Sequence, residues 1–242
     1  MLPTITIQDI FKQGDTNPYA KIGQLAINMY GDRFRYVKVG SSALVAAELL
    51  QESVEDTQFV SMAVPAIVAI GATSITVTNG TTAVTANMFN DGYLTVSTST
   101  GIGQTFRIVS HTTGVSGASI TYYLNRPVLV ALSVTSKVSV RKSPFDGVIE
   151  YPVTTQTGGA VGFARIANTA STYAYIQSGG DCPVLFDNQT NTSNNATAIG
   201  ASTSVAGSVT PVLAAVGALN LGYARQVVSV DSTVELAHIT ID

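Results

Sequence analysis

Two histidines, one cysteine and fifteen carboxylates are the reactive side chains from which this 242-residue chain could build a catalytic or metal site. A Ser-His-Asp site needs a histidine beside a nucleophile, and no Gly-x-Ser-x-Gly elbow occurs. His111 begins a turn-like His-Thr-Thr-Gly and His238 lies in the final strand-like run, so both read as surface or strand residues. Two histidines without clustered carboxylates make a poor zinc site. Cys182 sits in Gly179-Gly180-Asp181-Cys182-Pro183, with no neighbouring cation or helix terminus to activate it, and reads as a small buried hydrophobe. Glu48, Glu52, Glu55 and Asp56 fall on or just after a possible helix, where a solvated acidic face is expected. Spacing alone leaves a glycosidase-type carboxylate pair open. The Asp187-x-Gln189-x-Asn191 spacing lacks the glycine and terminal glutamate of a calcium loop. Gly101-x-Gly103 lies between two strand-like runs, which makes it a tight or bulged turn and no phosphate loop. Sequons at Asn79, Asn188, Asn191 and Asn195 matter only behind a secretory signal. The expectation is a non-enzymatic protein with no catalytic, cofactor-binding or metal residues and no cofactor.

Charge is scarce. Charged residues are 11% of the chain and hydrophobic ones 45%, whereas about 25% charged is ordinary for a soluble domain. The surface must therefore be covered by Ser, Thr, Asn, Gln and Gly. Either much of it is buried against partner subunits, where charge is depleted, or the chain is a β scaffold with neutral loops. Net charge is −3 and no Lys/Arg-rich run occurs, so nucleic acid is not an expected partner. One cysteine cannot form a disulfide within the chain. The first twenty residues lack the basic start and apolar run of a secretory signal. The low-charge stretch 59–90 is broken by Pro65, Gly71, Gly80 and many threonines, unlike a membrane span. The expectation is synthesis in a cytoplasm, with no membrane partner.

The elements that must position any site are mostly strands. Residues 4–7 alternate polar and apolar, as do 24–30 and 33–39, which join at Gly31-Asp32 as a hairpin. Arg33, Arg35 and Lys38 then lie near one face, which is exposed or meets an acidic neighbour. The best helix signal is 41–52, SSALVAAELLQE, with Ser41 or Ser42 as N-cap; the alternative continues Leu44-Val45 as extended chain. Composition shifts near 59–65, and from there strands are expected at 74–78, 92–96, 105–109, 118–124 and 137–140, spaced as in a sandwich or barrel. Pro144-Phe145-Asp146-Gly147 closes that module. A second set follows at 148–153, 161–166, 173–177, 184–186 and 223–241, the last broken near Asp231. Residues 187–218 are small and polar, and read as a long loop with short strands around Ala198-Ile199 and Val209. The fold class is therefore all-β: an antiparallel sandwich or barrel-like core, 1–58 with 145–242, with a small β-barrel or sandwich module, 59–144, inserted, and at most two short helices. The segment from Thr4 to Ile10 is either an N-terminal arm or an ordinary first strand.

Several phrases resemble those of virion structural proteins of tailed bacteriophages, in particular head-decoration proteins. Gly31-Asp32-Arg33-Phe34-Arg35-Tyr36-Val37-Lys38-Val39-Gly40-Ser41-Ser42-Ala43-Leu44 is similar to their G-x-x-F-R-Y-V-K-x-G-x-x-A-L segment. Tyr173-Ala174-Tyr175-Ile176-Gln177 through Gly180 and Val184 resembles their Y-x-W-I-Q-x-x-G-x-x-x-V, with Tyr175 where Trp is common. Leu221-Gly222-Tyr223-Ala224, Asn90-Asp91-Gly92-Tyr93-Leu94 and 101–108 also fit. The long stretch after Phe186 departs from the pattern. The resemblance implies a capsid decoration protein that binds and stabilises the assembled head, with the major capsid protein as partner, self-association as a homotrimer, and a place on the capsid surface. A tail-tube or baseplate component, or a carbohydrate-binding β module, is the alternative; the absence of Trp weighs against the last.

Overall fold

The computed structural model describes residues 4–12, 14, 16, 19–187, 196–212, 220–227 and 231–242. In chain order these form α1 (Ile7–Ile10), β1 (Leu25–Ile27), β2 (Arg33–Val39), β3 (Leu49–Gln51), a 3₁₀ turn (Thr57–Phe59), β4 (Met62–Ala63), β5 (Ser74–Thr78), β6 (Tyr93–Thr98), β7 (Thr105–His111), β8 (Ser119–Leu124), β9 (Lys137–Arg141), β10 (Asp146–Glu150), β11 (Ala160–Ala164), β12 (Tyr173–Phe186), β13 (Ala198–Ala201), β14 (Val209–Pro211), β15 (Gly222–Ala224) and β16 (Thr233–Thr240). The protein is nearly all β. It divides into two compact units, Met1–Val54 with Pro144–Asp242, and Glu55–Ser143. The second unit starts at Glu55 rather than at the expected 59, because Asp56 caps the 3₁₀ turn that delivers Phe59 to that unit's core.

The first unit is built on β12, fourteen residues long. Its first half pairs with β2 on one edge and β11 on the other, and its second half pairs with β16. Two rings of hydrogen-bonded strands result. One closes as β2-β10-β3-β11-β12, the other as β12-β14-β13-β15-β16. Each encloses a core. Val37, Val39, Leu50, Val148, Ala164 and Ile176 fill the first, while Cys182, Val184, Phe186, Ile199, Val209 and Ile239 fill the second. Successive strand residues point to opposite faces, so β3 sends Leu49 into the second core and Leu50 into the first, and β11 does the same with Phe163 and Ala164. β12 changes partners at Gly179-Gly180. Gly180 has φ +91°, and a side chain there would run into Asp32, whose Oδ1 accepts the Asp181 N–H at 3.1 Å.

Two expectations fail in this unit. Residues 41–52 form no helix. Leu44 bridges Asn168, the chain reverses at Ala47 with φ 67°, and β3 follows. The apolar pair Leu49-Leu50 serves two cores from one strand. Nor do residues 4–10 form an alternating strand. Thr4 bridges Ile27 in parallel, then Thr6 and Asp9 make a reciprocal capping box that starts α1. Ile5 and Ile10 are buried with Ala26, Phe34, Tyr36 and Tyr175.

The second unit is one rolled antiparallel sheet, ordered β4-β9-β6-β7-β8-β5. Both ends of that order, Met62 and Val77, reach the same core, with Leu94, Phe106, Ile120, Tyr122 and Val138 between them. β5, β6, β8 and β9 alternate buried and outward residues, as a one-sided sheet requires.

Candidate functional site

One group of ionisable side chains sits on the second ring. Cross-strand register sets Asp181 of β12 opposite His238 of β16, and Tyr223 of β15 opposite the same His238. His238 Nδ1 donates to Asp181 Oδ1 at 2.7 Å, and Arg225 Nε donates to the same oxygen at 3.0 Å. The Tyr223 ring stacks on His238 at 5.1 Å, with the Arg225 guanidinium over its face. Partial burial raises the Asp181 carboxyl, yet the bonds from His238 and Arg225 outweigh it and hold the group below the usual carboxylate range. This pair has the orientation of two members of a hydrolytic triad. The third is missing: among the described residues no hydroxyl or thiol is bonded to His238 Nε2, and Cys182, next along β12, points into the core. What the arrangement does is lash β12, β15 and β16 together on their outer face.

The other reactive groups serve the fold too. Burial pushes the Cys182 thiol up to about 12, so it is an inert core residue. His111 lies at the end of β7 against Phe89 and Tyr122. Its Nε2 accepts the Phe89 N–H at 3.1 Å and its Nδ1 donates to the Thr112 carbonyl at 3.0 Å. The acidic cluster is not a solvated helix face. Glu48 accepts from the Val45 N–H and Asp56 from the Gln58 N–H, each bracing a local turn, while Glu52 accepts from the Gly159 N–H where β3 and β11 begin to pair. Asp187 is buried and bonded to the Ser202 hydroxyl, while Gln189 and Asn191 lie outside the described residues. Asn79 is buried and donates to Thr82 and Val115 carbonyls; Asn188, Asn191 and Asn195 lie outside the described residues. Gly101 and Gly103, at φ +85° and +89°, turn the chain from β6 into β7 beside a bulge at Val96–Thr98. Among the described residues no group of three or more potential metal ligands occurs.

Arg33 and Arg35 flank the buried Phe34 on β2. Arg35 meets an acidic neighbour, Asp242, through a bidentate pair, with Nη2 donating to Oδ1 at 2.8 Å. Arg35 Nη1 also donates to the Gly23 carbonyl.

The feature best suited to contact another molecule is the β1–β2 turn. Asn28 Oδ1 accepts the N–H groups of Tyr30 and Asp32, both at 2.9 Å, and Asn28 Nδ2 donates to Asp32 Oδ2 at 2.8 Å. Gly31, at φ +89°, completes the turn. The turn is thus locked, and it holds out Met29 and Tyr30, 82% and 74% exposed. Across an apolar groove of about 320 Å³ stands α1, with Ile7 also exposed. Large apolar side chains fixed in solvent on a braced turn are preorganised for burial by a partner. No sequence rule marked this turn as a contact. The Asn28-x-x-x-Asp32 spacing was the available signal.

Comparison with protein-family models, with curated proteins and with solved structures returns no match to this chain.

Proposed function

We propose that this chain is a structural virion protein, a capsid decoration protein that binds the assembled phage head and stabilises it. The observation that carries the reading is the Asn28-braced turn, which presents Met29 and Tyr30 beside exposed Ile7. Met and Tyr are enriched where protein surfaces meet. Low charge supports it as well, because contact surfaces are depleted of charge. The resemblance of residues 31–44 and 173–184 to head-decoration proteins names the partner class. In this reading the major capsid protein receives the turn and the groove. Copies associate as homotrimers on the capsid surface, and the work is mechanical, with no catalytic step and no cofactor. Many small contacts bury surface across capsomer junctions and resist internal pressure.

The test is to mix the purified protein with expanded heads that lack their decoration, and to measure bound copies and solution mass. Saturable binding, lost in the Met29→Asp/Tyr30→Asp double variant, is the expected result. A protein that ignores heads but polymerises alone into rings or tubes overturns the reading and makes it a tail component.

A further inference from the structure

The two ends of the second unit's rolled sheet are built differently. At one end the chain enters and leaves the unit, and the loops 79–92 and 112–118 carry Asp91 and a single exposed large apolar side chain, Val115. At the other end lie the loops that join β4 to β5 (64–73), β6 to β7 (99–104) and β8 to β9 (125–136). No residue of 64–73, 99–104 or 127–136 is charged. Six aliphatic side chains on these loops, Ile67, Ile70, Ile102, Leu129, Val130 and Val134, are 49% to 74% exposed. The three loops form one surface. Val68 and Leu132 exchange backbone hydrogen bonds at 3.0 and 2.9 Å, and the Gly71 N–H reaches the Val128 carbonyl at 2.8 Å, which joins the first loop to the third. Gln104 joins the second to the third. Its Oε1 accepts the N–H groups of Leu129 and Val130 at 2.9 and 3.1 Å, and its Nε2 donates to the Val130 carbonyl at 2.8 Å. The Ser136 hydroxyl adds a bond to the Thr100 carbonyl at 2.8 Å.

This construction suits a surface that enters hydrocarbon. The N–H groups of Ile102, Leu129 and Val130 all have acceptors within the protein. A loop tip among acyl chains needs that, because no water is there to bond its backbone. Charge begins only at the base of the loops. Arg126, just after β8, and Lys137, the first residue of β9, are exposed. Arg126 Nη2 donates to the Thr105 carbonyl at 2.6 Å, which fixes it where β7 begins. Tyr123 of β8 is exposed opposite Ser74, where β5 begins. The unit's three acids, Glu55, Asp56 and Asp91, belong to the other end, where Gln58, next to the Asp56 turn, accepts the Thr81 hydroxyl. Aliphatic tips above a belt of Tyr, Arg and Lys match the depth profile of a bilayer leaflet: acyl chains, then the interface, then anionic headgroups. In a tip-to-tip contact between two copies the same belt would set like charges against each other.

We propose that this end of the second unit docks on an anionic phospholipid bilayer, with its aliphatic loop tips among the acyl chains and Arg126 and Lys137 at the headgroup phosphates. Docking by loop tips needs no spanning segment, so the sequence expectation of no membrane partner, which rested on the lack of one, does not bear on it. The surface uses no residue of the Asn28-braced turn and stands independently of the capsid reading.

The test is co-sedimentation of the full chain at low salt with vesicles of phosphatidylcholine mixed with phosphatidylglycerol, and with vesicles of phosphatidylcholine alone. Binding to the anionic vesicles is expected, and weaker binding to the neutral ones. Ile67→Ser/Ile102→Ser/Leu129→Ser should weaken it by roughly tenfold or more. Arg126→Gln/Lys137→Gln should bring it down toward the level on neutral vesicles, and Met29→Asp/Tyr30→Asp in the first unit should leave it unchanged. Thermal unfolding of each variant checks the fold, and Ile102→Ser alone serves if the triple variant does not fold. The proposal is overturned if the anionic vesicles do not bind, if the tip variant or the Arg126/Lys137 variant binds as wild type, if neutral vesicles bind as tightly, or if the Met29/Tyr30 variant loses binding. A solution oligomer of the wild type that the tip variant dissolves assigns the tips to a second copy and overturns it too.

Discussion

The two units solve the burial problem differently. The second rolls one sheet around one core, so its strands need only one apolar face. The first winds two rings on a shared strand, and β3 and β11 stand between two cores with apolar side chains on both faces. Charge divides along the same line. The first unit holds twelve acidic and seven basic residues, the second three acidic and five basic. Strands buried on both sides lose their alternation and gain mutual dependence, because a defect in one core is felt at once in the next.

That difference can be broken deliberately. Phe163→Ala should have the largest effect, about 3–5 kcal/mol, because Phe163 fills one core while Ala164, its neighbour on β11, lines the other. Denaturant unfolding should show both rings lost in one transition. Labelling of Cys182, buried in the second ring, should accelerate in step. Phe106→Ala in the second unit should cost a similar amount there and leave Cys182 protected. Independent melting of the two rings would contradict the shared-wall picture.

Gly180→Ala comes next, at roughly 2–3 kcal/mol, because it puts a side chain at positive φ against Asp32 where β12 changes partners. Gly117 in the second unit, also at positive φ (+71°) but with open space around it, should cost less on the same change.

A smaller, pH-dependent effect distinguishes the acidic unit. Partial burial raises the Asp242 carboxyl, but the bonds from Arg35 and Ser178 lower it further, so it sits below the usual value. A carboxyl depressed in the folded state stabilises the fold above its unfolded pKa, near 4, and this contribution disappears as pH falls through the folded value. Arg35→Gln should therefore cost roughly 1–2 kcal/mol at pH 7, with the difference from wild type shrinking below pH 4. Thermal melts of both proteins between pH 2 and 7 check this. The smallest effect is expected for Thr76→Val, which removes the 2.8 Å hydroxyl contact with Thr121 on the second unit's outer face. It should cost under about 1 kcal/mol in a melting experiment.

The same contrast explains what could be read from sequence. The strand at 74–78 is found with the expected bounds, and those at 105–109 and 118–124 are found within two residues, because one-sided burial writes period two into the chain. Residues 41–52 misled because Leu49-Leu50-Gln51 is a buried run, and a short apolar run does not distinguish helix from two-sided strand. The expected strands at 173–177 and 184–186 are one strand, continuous across glycines that looked like a turn. Thr6 and Asp9 held a capping signal for α1 that the alternation of 4–7 masked. The sites were less legible still. Asp181, Arg225 and His238 meet through register between strands far apart in sequence, and no local spacing encodes that register.

The strand before the second unit and the strand after it are direct neighbours: Leu50 and Gln51 of β3 pair with Glu150 and Ile149 of β10, and the chain leaves the first unit after Val54 and returns at Pro144. In effect the second unit occupies the loop of a β-hairpin. Replacing Glu55–Ser143 by a short turn should leave a first unit that still folds, because the strands that flank the junction are hydrogen-bonded to each other within the first unit.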